Sequence, residues 1–578
     1  TNSKISSDDV TIHGNLTIQG NHDNHSFLST TNGLSVDSGQ ISIVHADLIS
    51  QMGLLTLQGS SVNLDYAKLD AQTGIIISGT QESDKVNLTN VQITAGNGDI
   101  TLGGTWTKFD TVEINALSHQ IAFTGTVGTE NHQLDNLRLT ADTLIWQTQN
   151  EQTVFGQSSS FSITNTQITS GHQITLDGGT DESIKFGSMG KLAVEGDSSL
   201  IIRNGLLATS GIAIGTGHLT LKSGSTITNT GDLSASSSAI LLEGSSILDI
   251  AGSFSQNGGT LSLQENRTTL SATGGLLLSG NALFFMSDNA KVQSSITLND
   301  SVTATLDQAV IEGTLTNKSI SLLSLNDTTI TGDMQLLADS KTVVTGQFTA
   351  QQATGRPWSN VTSEGELEIG DTSPDVQGAE FNANITLHSG TLTLNNIKTF
   401  GGTVTMSGSS SSRLMDVICD LSSLNLNIAM DANATVNIRS ALSVGTLTGN
   451  RQLTLTGSAT DARMILTEEN SNFAGNIDWQ GSIIELQQND ALGTTGTLTA
   501  TGERTLVVTG TTEHAKNITM TDQTGILHIL ADSGTVGQPV NFTGTILNSG
   551  SLVKDGSGVI QLNRIANGYS TRLNGISV

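Results

Sequence analysis

Trp106 with Lys108 close by, Trp146, and Trp358 beside Arg356 are the residues whose types best suit ligand recognition. An exposed indole stacks on a sugar ring, and a neighbouring cation holds a carboxylate or sulfate. In a chain with 4 Trp, the same residues serve equally as core or edge-capping groups. His22-Asp23-Asn24-His25 carries metal-ligand types at short spacing. Zinc needs three or four such groups fixed in a tetrahedron with an outer layer of support. A lone cluster in a polar stretch reads instead as a solvated loop. No calcium-binding Gly-Gly-x-Gly-x-Asp repeat is present. Gly178-Gly179-Thr180-Asp181 and Asp555-Gly556-Ser557-Gly558 stand alone and read as turns. The sequence therefore predicts no metal and no cofactor. Cys419, between Ile418 and Asp420, reads as an inert buried thiol.

The elements that must position these residues are short strands. One phrase returns along the chain: apolar, Thr, apolar, then a few polar residues with Gly. It occurs at Leu55-Thr56-Leu57, Ile100-Thr101-Leu102, Ile174-Thr175-Leu176, Leu219-Thr220-Leu221, Ile296-Thr297-Leu298, Ile385-Thr386-Leu387 and Leu453-Thr454-Leu455. The first residues are 45, 74, 45, 77, 89 and 68 positions apart. Each interval lies near a multiple of about 22–26, a solenoid period. Inside each phrase the alternation has period two, as in Leu261-Ser262-Leu263 and Leu392-Thr393-Leu394. That alternation makes a strand with one face in and one face out. Gly, Asn, Asp and Ser break nearly every run after a few residues, which turns require.

These features predict an all-β fold, a parallel β-helix with three strands per rung. Leu, Ile and Val stack inward and Thr and Ser face out. At about 23 residues per rung, the chain makes roughly 25 rungs. At about 4.8 Å each, they form a rod on the order of 120 Å long. A string of β-sandwiches would instead show a repeat near a hundred residues and linkers, and neither is found. Residues before Val10 read as a cap over the first rung's open edge. Gln347 to Glu380 breaks the rhythm with Pro357 and Pro374, Arg356 and Trp358, and Glu364, Glu366, Glu368, Asp371 and Asp375. This stretch reads as a loop extruded between rungs, and long excursions often carry binding residues.

Composition narrows the function. The net charge is −28, from 24 Lys+Arg against 52 Asp+Glu. Phosphate backbones need a basic patch, so nucleic acid is not an expected partner. One Cys excludes a disulfide scaffold and 3 Pro exclude collagen. The densest apolar run, Ala282 to Met286, falls far short of the roughly 20 residues that span a bilayer.

Two C-terminal stretches carry a family resemblance. Gly550-Ser551-Leu552-Val553-Lys554-Asp555-Gly556-Ser557-Gly558-Val559-Ile560-Gln561-Leu562 resembles the passenger-associated repeat of bacterial autotransporters. That repeat reads Gly-x-Leu-x-Lys-x-Gly-x-Gly-x-Leu-x-Leu and is followed by Asn-x-Tyr-x-Gly-x-Thr. Here Asn567-Gly568-Tyr569-Ser570-Thr571 follows, without the second Gly of the pattern. A second copy runs from Met464-Ile465-Leu466 through Asn472-Phe473-Ala474-Gly475 and Gly481-Ser482-Ile483-Ile484-Glu485-Leu486 to Asp490-Ala491-Leu492-Gly493. Phe473 takes the Tyr position. The resemblance assigns residues 1–460 to the β-helix passenger and 461–578 to C-terminal rungs of the same β-helix that carry the transport repeats.

The resemblance implies that the β-helix is right-handed and that the chain is a type V secretion passenger at the surface of a Gram-negative bacterium or released from it. A C-terminal β-barrel translocator, absent from this chain, would carry it through the outer membrane. One cysteine and no signal peptide before Thr1 fit a mature exported chain. Protease passengers carry Gly-Asp-Ser-Gly-Ser; Gly196-Asp197-Ser198-Ser199-Leu200 lacks the Gly that the oxyanion loop needs. The resemblance therefore points to an AIDA-type adhesin rather than an enzyme. Such adhesins bind host extracellular-matrix components, such as a glycosaminoglycan or a fibronectin-like protein, in adhesion and colonisation. The alternatives are self-association, which promotes aggregation and biofilm, and a β-helix enzyme that degrades polysaccharides. The enzyme reading lacks support in local motifs: Gly171-His172 and Gly217-His218 run into Gln173 and Leu219, where a hydrolase Gly-His-Gly phrase would continue. At −28, any polyanionic partner must find a local patch of cations.

Overall fold

The computed structural model describes residues 4–81, 84–127, 133–155, 159–169, 171–179, 184–318, 320–350, 359–371, 378–409, 413–457 and 459–567. They form short parallel strands stacked as a β-helix of about 25 turns, with no helix among the described residues. The chain falls into two compact units, Thr1–Ser294 and Ser295–Val578.

Period-two alternation builds each strand. Leu233–Ser236 buries Leu233 and Ala235 and exposes Ser234 and Ser236. In the first unit the inward residues stack rung on rung along three faces. The first face runs Leu34, Leu55, Ile75, Ile100, Ile121, Leu144 in direct register. The second includes Ile41, Val62, Val86 and Trp106. The third runs Leu28, Leu48, Leu69, Ile93, Ile114, Leu139, Phe161. These side chains are buried, and each contributes about 1.5–3 kcal/mol by leaving water. In the second unit Ile296, Leu315, Met334, Val361 and Ile385 form a comparable ladder.

The recurrent phrase marks rungs correctly but mixes faces. Leu55-Thr56-Leu57 and Ile100-Thr101-Leu102 lie two turns apart on the first face, joined by Ile75-Ile76-Ile77. Ile174-Thr175-Leu176 and Leu219-Thr220-Leu221 lie two turns apart through Leu200-Ile201-Ile202. That second pair sits on the face of Val154 and Leu134, not of Ile121 and Leu144. Every face needs the same alternation, so the phrase alone cannot identify one.

Turns are tight where rungs meet. A Cβ at Gly53 would run into the Asn32 carbonyl of the rung below. Gly190 takes φ 59°, and a Cβ there would collide with the Thr164 carbonyl oxygen. Only a residue without a Cβ fits such corners without strain.

Lys4–Ser7 pair in register with Phe27–Thr30, so the described residues before Val10 form a strand stacked on the rung that follows. The excursion at 347–380 contains two regular strands, Asn360–Ser363 and Glu366–Ile369, paired with neighbouring rungs. Glu366 and Glu368 belong to the ladder, and residues 351–358 and 372–377 lie outside the described residues. Pairing is continuous across 460/461, where Ala441–Val444 stack on Arg463–Leu466.

Candidate ligand groove

Two of the expected ligand-binding tryptophans, Trp106 and Trp146, are core residues. Trp106 is 1% exposed, donates its indole N–H to the Gly103 carbonyl at 3.1 Å, and packs against Phe109 and Phe123. Trp146 is fully buried, bonds the Gln152 side chain at 2.6 Å, and stacks on Phe123. Neither indole offers a face to a sugar, because each fills the interior of its own rung. Lys108 is exposed on the strand that buries Trp106, so the two make no joint site. Arg356 and Trp358 lie outside the described residues.

A different constellation lines a groove of about 640 Å³ on the first unit. It follows the corner between the second and third faces. One residue turns that corner in each of five rungs: His45, Tyr66, Asn90, Thr111 and Asn136, with φ of 49°, 48°, 52°, 55° and 49°. The chain turns sharply there while its amides keep their ladder, as in His45 N–H to Asp65, Tyr66 N–H to Thr89 and Asn136 N–H to Phe155, each at 3.0 Å. A left-handed conformation costs an ordinary L-residue about 1–2 kcal/mol, least for Asn and most for a β-branched or bulky residue. Asn90, Asn136 and His45 are of types that tolerate this conformation; Tyr66 and Thr111 are not.

The residues just past the corner form an outward ladder on the third face. Asp47, Lys68, Gln92, Glu113 and Arg138 pair in sequence from rung to rung. With about 4.8 Å between strands, this wall spans about 19 Å. The Lys68 and Arg138 charges balance those of Asp47 and Glu113, in a chain that is otherwise strongly acidic. His25 closes one end with Nδ1 at 3.0 Å from Asp47. Gln92 donates to Glu113 at 3.4 Å. Tyr66, 45% exposed, stacks on His45 with ring centroids 4.8 Å apart and planes 19° off parallel. His25 and His22 meet His45 edge-on at 5.9 and 6.2 Å. The His22–His25 cluster thus supports an aromatic platform. No group of three or more metal-binding side chains occurs among the described residues.

Beside the groove, Asp110 and Asp135 pair across adjacent rungs and precede Thr111 and Asn136. Burial holds the Asp135 carboxyl above its ordinary range, and the Asp110 charge adds to the shift.

This arrangement offers a stacking ring, carboxylates and an amide to accept hydroxyl protons, and two cations for acidic groups. The sequence carries its signal in spacing: His25, Asp47, Lys68, Gln92, Glu113 and Arg138 recur at one-rung intervals.

Compared with protein-family models, curated proteins and solved structures, the chain matches none.

Proposed function

We propose that this chain is a non-catalytic adhesin, an autotransporter passenger shown at a Gram-negative cell surface, whose groove holds an extended host-matrix glycan. The observation that carries the reading is Tyr66. A bulky aromatic ring occupies a left-handed corner where Asn would be less strained, and it is held half-exposed on His45. Strain of this kind collects at binding sites, where the surrounding fold sustains it. The groove runs along the ladder, and one rung is close to the length of one pyranose unit, so a linear polymer meets one outward side chain of the wall at each step. Lys68 and Arg138 stand three rungs apart, about 14 Å, and meet acidic groups. Asp47 and Glu113 accept hydroxyl or amide protons. The balanced wall answers the problem that −28 poses for an anionic glycan.

The test is binding of the purified chain to immobilised matrix glycans and matrix proteins. Saturable glycan binding that weakens at least tenfold in Tyr66→Ala supports the reading. Binding to matrix proteins alone, or glycan binding indifferent to Tyr66→Ala and Arg138→Ala, overturns it.

A second reading, polysaccharide cleavage, is favoured by the Asp110–Asp135 pair. Two carboxylates stacked on adjacent rungs, one of them with its pKa raised by burial, resemble the carboxyl pair that glycoside hydrolysis uses. It predicts new reducing ends from a bound polysaccharide and their loss in Asp135→Asn.

A further inference from the structure

The corner that carries Tyr66 continues past the groove. Asp65, Thr89, Asp110, Asp135 and Phe155 each stand just before the turn and pair in sequence from rung to rung. Phe155 is therefore four rungs beyond Tyr66, about 19 Å along the ladder. It is 36% exposed, close to the 45% of Tyr66. Period-two alternation puts it there, because Val154 fills the core and Phe155 takes the outward position that follows. Its carbonyl accepts the Asn136 N–H at 3.0 Å and the Ser159 hydroxyl at 3.1 Å. Ser159 is buried and itself receives the Leu137 N–H at 3.0 Å. These bonds fix the backbone beneath the ring. The next rung turns the corner through Gly178 and Gly179, the latter at φ 76°. A Cβ at Gly179 would lie 3.4 Å from Cε2 and Cζ of Phe155. The ring thus leans over a turn that carries no side chain, along the line that Asn90, Thr111 and Asn136 follow on earlier rungs. Asp135 and Asp177 flank it on the adjacent rungs.

We infer that Phe155 is a second stacking site for the same extended glycan, four to five sugar units along from Tyr66. This rests on the reading of the groove as a glycan site. A pyranose presents an apolar C–H face and a rim of hydroxyls. Phe155 supplies a flat apolar partner for the face. The Asp135 and Asp177 carboxyl groups accept hydroxyl protons; Asp177 already takes the Gly179 N–H at 2.8 Å and has lone pairs to spare. Both rings are held by one rigid ladder, so a chain long enough to reach the second gains its contact at little further ordering cost. A short chain reaches only one.

The experiment is calorimetric titration of the full chain with hyaluronan oligosaccharides of four and eight sugars. The octasaccharide is expected to bind at least fivefold more tightly than the tetrasaccharide. Phe155→Leu keeps an apolar cover over Gly179 but offers no ring face. With an unaltered melting profile, it should weaken the octasaccharide about fivefold and leave the tetrasaccharide unchanged. Phe155→Tyr should retain the tighter binding, and Tyr66→Ala should weaken both lengths. Octasaccharide binding that falls in Tyr66→Ala but not in Phe155→Leu would overturn this inference and spare the groove. Equal loss for the two lengths in Phe155→Leu would make the ring a scaffold residue and overturn it as well. No binding of either length, or binding indifferent to Tyr66→Ala, would overturn the groove and this second site together.

Discussion

Corner residues of the first unit and rungs near the end of the second use the same ladder in opposite ways. In the first unit Lys68, Arg138 and Tyr66 face a groove. In the second, cationic side chains turn inward. Lys516 is 2% exposed; its Nζ donates to the carbonyls of Gly475 at 2.8 Å and Thr495 at 2.5 Å, and lies 4.7 Å from the Phe473 ring centroid. Lys554 is buried with its amine on the Gly556 carbonyl. His514 is buried against Phe542, 2.8 Å from the Thr512 hydroxyl. A β-helix rung tolerates an inward polar tip if backbone carbonyls at a turn receive it. The outward ladder leaves its polar groups where the proposed ligand would meet them, whereas the inward one makes local stability depend on pH.

The sharpest way to break this contrast is to remove an inward ring. Trp146→Ala should destabilise the first unit by about 3–5 kcal/mol, read as a lower melting temperature. Its effect on glycan binding should follow only from unfolding. A selective loss of binding without loss of stability would return Trp146 to the list of ligand residues.

Acid is the next largest lever. Burial lowers the His514 pKa from 6.5 to about 4. Above pH 6.5 both folded and unfolded states hold it neutral. As pH falls from 6.5 towards 4, the unfolded chain takes a proton that the folded chain refuses, so stability falls, by about 3 kcal/mol in all. Hydrogen exchange around residues 512–520 should quicken across that window. His514→Phe should flatten the response if the packing tolerates it.

Lys516 acts at the other end of the scale. Burial lowers its pKa from 10.5 to about 8. Between about 8 and 10.5 the unfolded state keeps a proton that the folded state has lost, so the contribution to stability rises with pH. Lys516→Met should abolish that rise, visible as a melting temperature that no longer climbs through the window. A persistent rise would assign it to another group.

Much of this architecture is legible in the sequence because its physics is local. Leu261-Ser262-Leu263 announces a strand by alternation alone, and glycines such as Gly53 announce the turns. The groove is harder to see, since Asp47, Lys68 and Glu113 are neighbours only through the register, and each is surrounded in sequence by residues of other faces. The tryptophans mislead for a related reason. Aromatic rings are scarce in a thin aliphatic core, which makes an indole look like a surface residue. Phe109, Phe123 and the two indoles instead pack together and fill locally wider rungs. The inward turn of Lys516 has no sequence signature, because a lysine between Ala515 and Asn517 reads as solvated.

The smallest expected effect on stability is also the most informative about function. At Tyr66 the left-handed corner favours Asn over an aromatic residue by about 1 kcal/mol or less. Tyr66→Asn gives up the stack on His45, an interaction of about 0.5–1.5 kcal/mol. The two terms oppose each other, so melting should move little in either direction. Ligand affinity has no such compensation, because Asn offers no ring to a sugar face, and binding should fall about tenfold. A corner chosen for the fold would respond in the reverse pattern, with a clear change in melting and none in binding. Asn90→Tyr supplies the converse measurement on the next rung: added strain, a lower melting temperature and no loss of affinity. If both substitutions change stability alone, the corner is scaffold throughout and the glycan must be held elsewhere.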